Sequence, residues 1–334
     1  MAIDAHDAPG PVVLVGEATE DWAGDARYHE YSAAADPVGS GSIPRVPLER
    51  FPAHLHHGPG SRLVKLDLSE ALGVGYPATS PALLAAFAVL DPGDTLTTPP
   101  DATSELYYCL EGSGSSTFVR AAPDGPPVCG TVPWARGDVV TLPAGCTTEH
   151  TAAATERALL YRVTDAPLLH YLGVAPTAPR FAPTRYDAAT SRERLAEVER
   201  HPDADRRNRV SILLGNAAQD RTLTVTHTLW AMLGVLPADR VQRPHRHQSV
   251  ALDLIVSCEP GCYTLVGSEV DGTGRIVDPE RVDWEPAGAF VTPPGVWHSH
   301  HNESGAPAHL LPVQDAGLHT YLRSLDIRFT PSGG

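Results

Sequence analysis

Pro244-His-Arg-His-Gln248 and Pro293-Pro-Gly-Val-Trp-His-Ser-His-His-Asn302 are the two stretches on which the fold turns. The first sets His245 and His247 at i and i+2. Alternate side chains of an extended strand share a face, so both imidazoles project the same way. The second is a tight Pro-Gly turn followed by another histidine-bearing strand, and it offers His298 as a third ligand. Neutral imidazoles converging from separate segments suit Fe(II), and also Mn, Co, Ni, Cu or Zn. The residues therefore predict one mononuclear metal site on His245, His247 and His298. His300 shares strand parity with His298, and His301 points the other way.

Short strands punctuated by turns surround these segments. Val210-Ser-Ile-Leu-Leu214, Leu223 to Trp230, Ala251-Leu-Asp-Leu-Ile-Val256, Ala289-Phe-Val291 and His309-Leu-Leu311 read as strands over 209–334. The same texture runs through 83–175, as in Leu84-Ala-Ala-Phe-Ala-Val-Leu90 and Glu105-Leu-Tyr-Tyr-Cys-Leu110. The two halves look like a distant duplication. Between them, 176–208 is a linker in which Ser191 to Arg200 predicts a short helix. Residues 1–82 read as an irregular, partly β extension. There His54, His56 and His57 flank Gly58-Pro59-Gly60 and read as an exposed loop group.

The histidine segments resemble the two motifs of the cupin superfamily, the second through Pro293, Gly295, His298 and Asn302. The resemblance implies an all-β chain of two cupin barrels (double-stranded β-helix, or jelly-roll) with a short helical linker. The first half keeps the motif spacing in Gly93-x5-Pro99-x-Asp101-x3-Glu105-x6-Gly112 and Gly137-x5-Pro143-x-Gly145. Its histidine positions hold Pro99, Asp101 and Thr148, and one surviving carboxylate, Glu105, does not hold a transition metal. That barrel is expected to be metal-free, with a small organic pocket near Glu105, Tyr107 and His150.

Over about 120 residues the second half is similar to gentisate 1,2-dioxygenase-like bicupins. It has no Glu after the HxH pair, where Ala251 stands. Trp297-His-Ser-His-His-Asn302, Arg209 to Asn216 and Thr228-Leu-Trp-Ala231 match segments of that group. The resemblance implies Fe(II) as cofactor, O2 as co-substrate and a small aromatic substrate. It gives His300 an acid–base or substrate-binding place, Arg209 a place at a substrate carboxylate and Trp230 a place on the pocket wall. The plainer readings are a backbone hydrogen bond for His300, a salt bridge for Arg209 and packing for Trp230. Asp253 stands about where the group has an arginine, and Pro312 where it has an acidic residue. The group also keeps its metal in the N-terminal barrel. The expectation is a dioxygenase cleaving the ring of a hydroxylated or amino-hydroxylated aromatic, with Asp253 in a catalytic or substrate-binding role and gentisate itself disfavoured. The alternatives are an O2-independent isomerase, decarboxylase or hydrolase, and a non-catalytic binding bicupin.

Bulk properties exclude other classes. The 334-residue chain carries a net charge of −15, with no basic stripe for nucleic acid. No apolar run spans a bilayer and the first residues lack a signal-peptide pattern, so the expectation is a cytoplasmic protein. A homo-oligomer is expected, as bicupins commonly associate. The five cysteines are an odd count and read as packing residues rather than a disulfide framework.

Overall fold

The computed structural model describes residues 24–122 and 125–330; the stretch read for a signal peptide lies outside them. Residues 24–43 belong to one compact unit, which holds α1 (Tyr31–Ala34), and the described residues from Pro44 belong to another. All that follows concerns the second unit.

That unit opens with β1 (Arg50–Phe51), β2 (Arg62–Lys65) and α2 (Ser69–Leu72). A first barrel follows: β3 (Leu84–Leu90), β4 (Thr95–Thr98), β5 (Ser104–Glu111), β6 (Ser113–Ala122), β7 (Gly125–Ala135), β8 (Val139–Pro143), β9 (Cys146–Ala152), β10 (Ala158–Thr164), then α3 (Ala166–Leu172). The connection carries β11 (Thr184–Tyr186) and α4 (Ala188–Glu199). The second barrel comprises β12 (Val210–Leu214), β13 (Trp230–Leu236), β14 (Arg240–Val241), β15 (His245–Arg246), β16 (Ala251–Ser257), β17 (Cys262–Gly267), β18 (Glu280–Asp283), β19 (Ala289–Thr292), β20 (Trp297–Asn302) and β21 (Ala308–Gln314). It closes with α5 (Ala316–Leu322) and β22 (Arg328–Phe329). All recorded strand pairings are antiparallel, and each barrel has two facing sheets.

The sheets β11-β8-β5-β10-β3-β2 and β1-β19-β16-β21-β13-β12 share one apolar core. Phe87, Val89, Tyr161 and Val163 come from one side, and Leu252, Leu254, Leu311 and Val313 from the other. This explains why β3 and β10 are buried at every position rather than alternating. Their odd residues face the other barrel, while Ala88, Leu90 and Leu160 fill their own. A strand covered on both faces gains from apolar residues at every position. A polar latch joins the barrels as well: Thr228 Oγ1 donates to Asp165 Oδ2 at 3.0 Å, and Thr103 Oγ1 lies 3.0 Å from His227 Nε2.

Three local readings are corrected. The linker helix begins at Ala188 rather than 191, because the Asp187 carboxylate accepts Thr190 N–H at 2.9 Å and caps it there. His56 is not an exposed loop residue. It is buried with its ring 4.7 Å from Phe87 and Nε2 3.2 Å from Ala287 O, so an apolar contact and a backbone acceptor outweigh the nearby turn. Cys129, on β7, is exposed and takes no part in packing.

Candidate metal centre

His245 and His298 are direct cross-strand partners on β15 and β20, with ring centroids 4.1 Å apart. The His247 ring lies 4.9 Å from that of His298 and 6.1 Å from that of His245. All three are buried, and one ring nitrogen of each falls within 4.8 Å of the others. Each Nδ1 faces a backbone carbonyl two residues away: Arg243 O at 3.3 Å, Ser249 O at 2.8 Å and Val296 O at 3.3 Å. A carbonyl only accepts, so these contacts favour the Nδ1–H tautomer and leave each Nε2 lone pair for a ligand. Burial, the largest cause, pushes all three well below the ordinary histidine range, His247 to about 4, so the rings are neutral. A buried, neutral imidazole set with its tautomers fixed from behind fits a borderline transition metal.

His300 sits beside this cluster, its ring 5.8 Å from His298. Trp284 Nε1 donates to Thr264 Oγ1 at 2.8 Å, and Thr264 Oγ1 lies 2.8 Å from His300 Nδ1. In the Nε2–H tautomer of His300, the Thr264 hydroxyl that accepts from Trp284 donates its own proton to Nδ1. That Nε2 is buried with no protein partner. His301 turns away and stacks on Tyr263 at 4.7 Å.

Arg209 and Gln242 stand between two chambers, lining both. Arg209 Nη1 lies 2.9 Å from Met232 Sδ, and Nη2 donates to Gln242 Oε1 across 3.4 Å. On the metal side, about 180 Å3 is enclosed by Trp230, Met232, His245, His247, Ile327 and Phe329. Phe329 pairs with His245 across the β15–β22 ladder and stacks on its ring at 5.5 Å. The other chamber, about 220 Å3, is lined by His300 and by residues of the linker.

Asp253 is buried inside the second barrel, where its cross-strand neighbours are Phe290 and Pro312. The Asp253 carboxylate accepts Thr292 Oγ1–H at 2.7 Å, and Arg209 acts on it only through its charge. Its carboxyl is pushed up to about 6, chiefly by burial, against the opposing pull of Thr292 and Arg209. Asp253 lines neither chamber. Nor does Arg209 form the alternative salt bridge: its two recorded partners are neutral.

The first barrel repeats the framework without the ligands. Trp134 Nε1, Ser116 Oγ and His150 Nδ1 form the same chain as Trp284, Thr264 and His300, at 2.9 and 2.7 Å. The ladder sets Thr98, rather than Pro99, opposite Thr148, as His245 is set opposite His298. The small pocket expected near Glu105, Tyr107 and His150 is occupied by the buried Arg162. Its Nη2 lies 2.9 Å from Glu105 Oε2 and 3.6 Å from Asp101 Oδ1, and its Nε donates to Tyr107 Oη at 3.1 Å. Sequence reading missed Arg162, though an arginine amid Ala158-Leu-Leu-Tyr-Arg-Val-Thr164 is a signal. It also missed Gln242, Met232 and Phe329, which no local pattern marks.

Paired jelly-roll barrels with one three-histidine face define the class: the chain has the bicupin fold. Among known proteins it is similar to gentisate 1,2-dioxygenase 1 of Aquipseudomonas alcaligenes, 28% identical over 167 residues, or 48% of this chain and 45% of that one. It is also similar to a 1-hydroxy-2-naphthoate 1,2-dioxygenase of Nocardioides sp., 30% identical over 99 residues, which is 30% of this chain and 23% of the relative. The chain thus spans less than half the length of these curated relatives. Salicylate 1,2-dioxygenase of Pseudoaminobacter salicylatoxidans, solved with gentisate, superposes with a TM-score of 0.67 over 91% of both chains at 15% identity. Oxalate decarboxylase of Bacillus subtilis superposes at 0.53 over 79% of this chain and 76% of that one, at 14% identity. No family model matches the chain. Among the described residues no helix is long and apolar enough to cross a membrane.

Proposed function

We propose that the chain is a mononuclear iron dioxygenase that opens the ring of a small hydroxylated or amino-hydroxylated aromatic compound. The observation that carries this is the pairing of three convergent Nε2 lone pairs with an apolar chamber bounded by Trp230, Met232 and Phe329. His245, His247 and His298 would hold Fe(II), which supplies the redox chemistry for inserting both atoms of O2 across a ring carbon–carbon bond. The apolar walls bind the flat ring and exclude water from it. Phe329 packs on His245 and helps fix the ligand's orientation. His300 holds a proton at Nε2 and is positioned to donate it to an oxygen of the substrate. Arg209 presents positive charge between the chambers and binds the substrate's anionic oxygen, while Trp230 forms the chamber wall.

Asp253 is the point of divergence. An arginine there would add a second cation; a carboxyl buried among Phe290 and Pro312 adds none. The substrate is therefore held with less positive charge than a gentisate-type site would offer, and Asp253 influences it through Arg209. The test is O2 consumption by the Fe(II)-loaded chain over a panel of hydroxylated and amino-hydroxylated aromatic acids and phenols, with the product's mass showing both oxygen atoms. Turnover only without O2 would replace this reading with metal Lewis-acid chemistry. Ligand-dependent melting shifts with no turnover under either condition would replace it with a binding role.

A further inference from the structure

The chamber on the far side of Arg209 has a polarity that the metal site does not explain. Four buried side-chain atoms on its wall have no protein partner: Asn208 Nδ2, Ser211 Oγ, Gln242 Nε2 and His300 Nε2. Gln242 is 4% and His300 2% exposed, so both side chains are buried at the chamber wall. Each buried polar group left unpaired costs free energy, and four on one cavity wall call for an occupant.

Their chemistry says what kind. Asn208 Oδ1 accepts Arg243 N–H at 2.7 Å, and Gln242 Oε1 accepts from Arg209. Both amides are thereby oriented with their NH2 groups inward, so neither is free to flip. In the Nε2–H tautomer, which gives the Thr264 hydroxyl an acceptor at Nδ1, His300 Nε2 donates as well. Ser211 can donate, and it fits because Gly234 lies opposite: a Cβ at Gly234 would come within 2.8 Å of Ser211 Oγ. Arg207 and Arg209 line the cavity against a single lining carboxylate, Glu199, in a chain of net charge −15. A wall of donors with a net positive setting is complementary to an oxyanion.

We propose that this chamber is an oxyanion site. It takes a carboxylate or phosphate group on Asn208 Nδ2, Gln242 Nε2, Ser211 Oγ and His300 Nε2, with Arg207 and Arg209 balancing its charge. The linker between the barrels, through Asn208 and Arg207, is part of this site. The proposal rests on the donor set; in its substrate-carboxylate form it rests also on the reading of the metal centre, with which it shares Arg209 and His300. Two sources share the chemistry: a carboxylate arm of an aromatic substrate whose ring lies in the apolar chamber, or a separate small anion.

Calorimetric titration of the full chain, metal-free and Fe(II)-loaded under argon, with benzoate, inorganic phosphate and the neutral benzyl alcohol decides it. The expected result is one-to-one binding of benzoate or phosphate, with benzyl alcohol at least about tenfold weaker. Asn208→Asp and Gln242→Glu keep the oxygens that accept from Arg243 and Arg209 but turn inward donors into acceptors. Each should weaken the anion about tenfold or more. Arg207→Met, at an exposed position, should weaken it without touching the fold and serves as the control if the buried variants melt early. Benzoate binding that tightens with iron assigns the site to a substrate carboxylate; phosphate binding indifferent to iron assigns it to a separate anion. Failure of both anions to bind, or binding that all three variants leave unchanged, overturns the proposal. None of these outcomes depends on O2 uptake, so a failed oxygenase assay does not bear on them.

Discussion

Arg162 Nη2 lies 2.9 Å from Glu105 Oε2 inside the first barrel, on the strand whose counterpart in the second barrel carries Pro312. In the ladders Arg162 faces Tyr107 as Pro312 faces Asp253. A guanidinium thus supplies the cation in the barrel that has lost its histidines. The pair is buried, and desolvation raises the Glu105 carboxyl more than the adjacent Arg162 lowers it. Removing one partner leaves the other stranded. Arg162→Met is expected to destabilise the chain by about 3–5 kcal/mol, and Arg162→Met with Glu105→Leu by much less. Urea unfolding of the single and double variants measures this; equal losses would show that the pair contributes as packing alone.

The metal site makes a stoichiometric claim. Metal analysis of the iron-loaded chain should give one equivalent, and His298→Ala should abolish it. Loss of a direct ligand is expected to exceed the roughly 10–100-fold affinity cost typical of outer-shell changes. Arg162→Met should remain at one equivalent, since the first barrel presents threonines at the corresponding cross-strand pair. A second equivalent in the wild-type chain would contradict the assignment.

Asp253 gives a pH signature. Its carboxyl titrates at about 6 when folded, above the unfolded value, because burial disfavours the anion. The folded state therefore holds the proton more tightly than the unfolded one. The stability this contributes is present below the unfolded value near 4 and is lost as pH rises through 6. Asp253→Asn keeps an acceptor for Thr292 and removes the titration. The stability difference, variant minus wild type, should rise between pH 4 and 7 and level off above. A flat difference curve from urea midpoints would show that Asp253 is not buried as an anion at neutral pH.

Gly112, the last glycine of the first cupin spacing, joins β5 to β6 with φ of +74°. A Cβ there would meet Arg157 O at 2.3 Å, a backbone atom that cannot swing aside. Gly112→Ala combines the left-handed penalty with this clash and is expected to cost more than about 1 kcal/mol. Gly58→Ala has a similar φ of +91° but nothing within 4 Å, so it should cost distinctly less. Melting temperatures of the two variants compare the contributions.

The two cupin spacings, the HxH pair with His298, and the loss of histidines from the first half were legible in the chain alone. Each depends on strand parity or turn chemistry, which act over a few residues. Parity also placed His300 beside His298 and His301 away from it. Where local rules met long-range packing they failed. His56 looked like a loop residue, yet Phe87 and Ala287 bury it across the fold. Asp253 is buried inside the barrel, as strand parity placed it, but its hydrogen-bond partner there, Thr292, lies 39 residues away and no local rule marks it.

Only the tertiary structure decided what lies between the motif spacings. Arg162 and Glu105 are 57 residues apart, and Asn208 and Gln242 come from the linker and the second barrel. Their meeting depends on sheet closure and on a shared core that presses β3 and β10 against β16 and β21. The histidine constellation follows from the period of a strand, which a sequence displays directly. The donor-lined chamber follows from which side-chain atoms are left without partners once every strand is packed, and that sum exists only in the folded molecule.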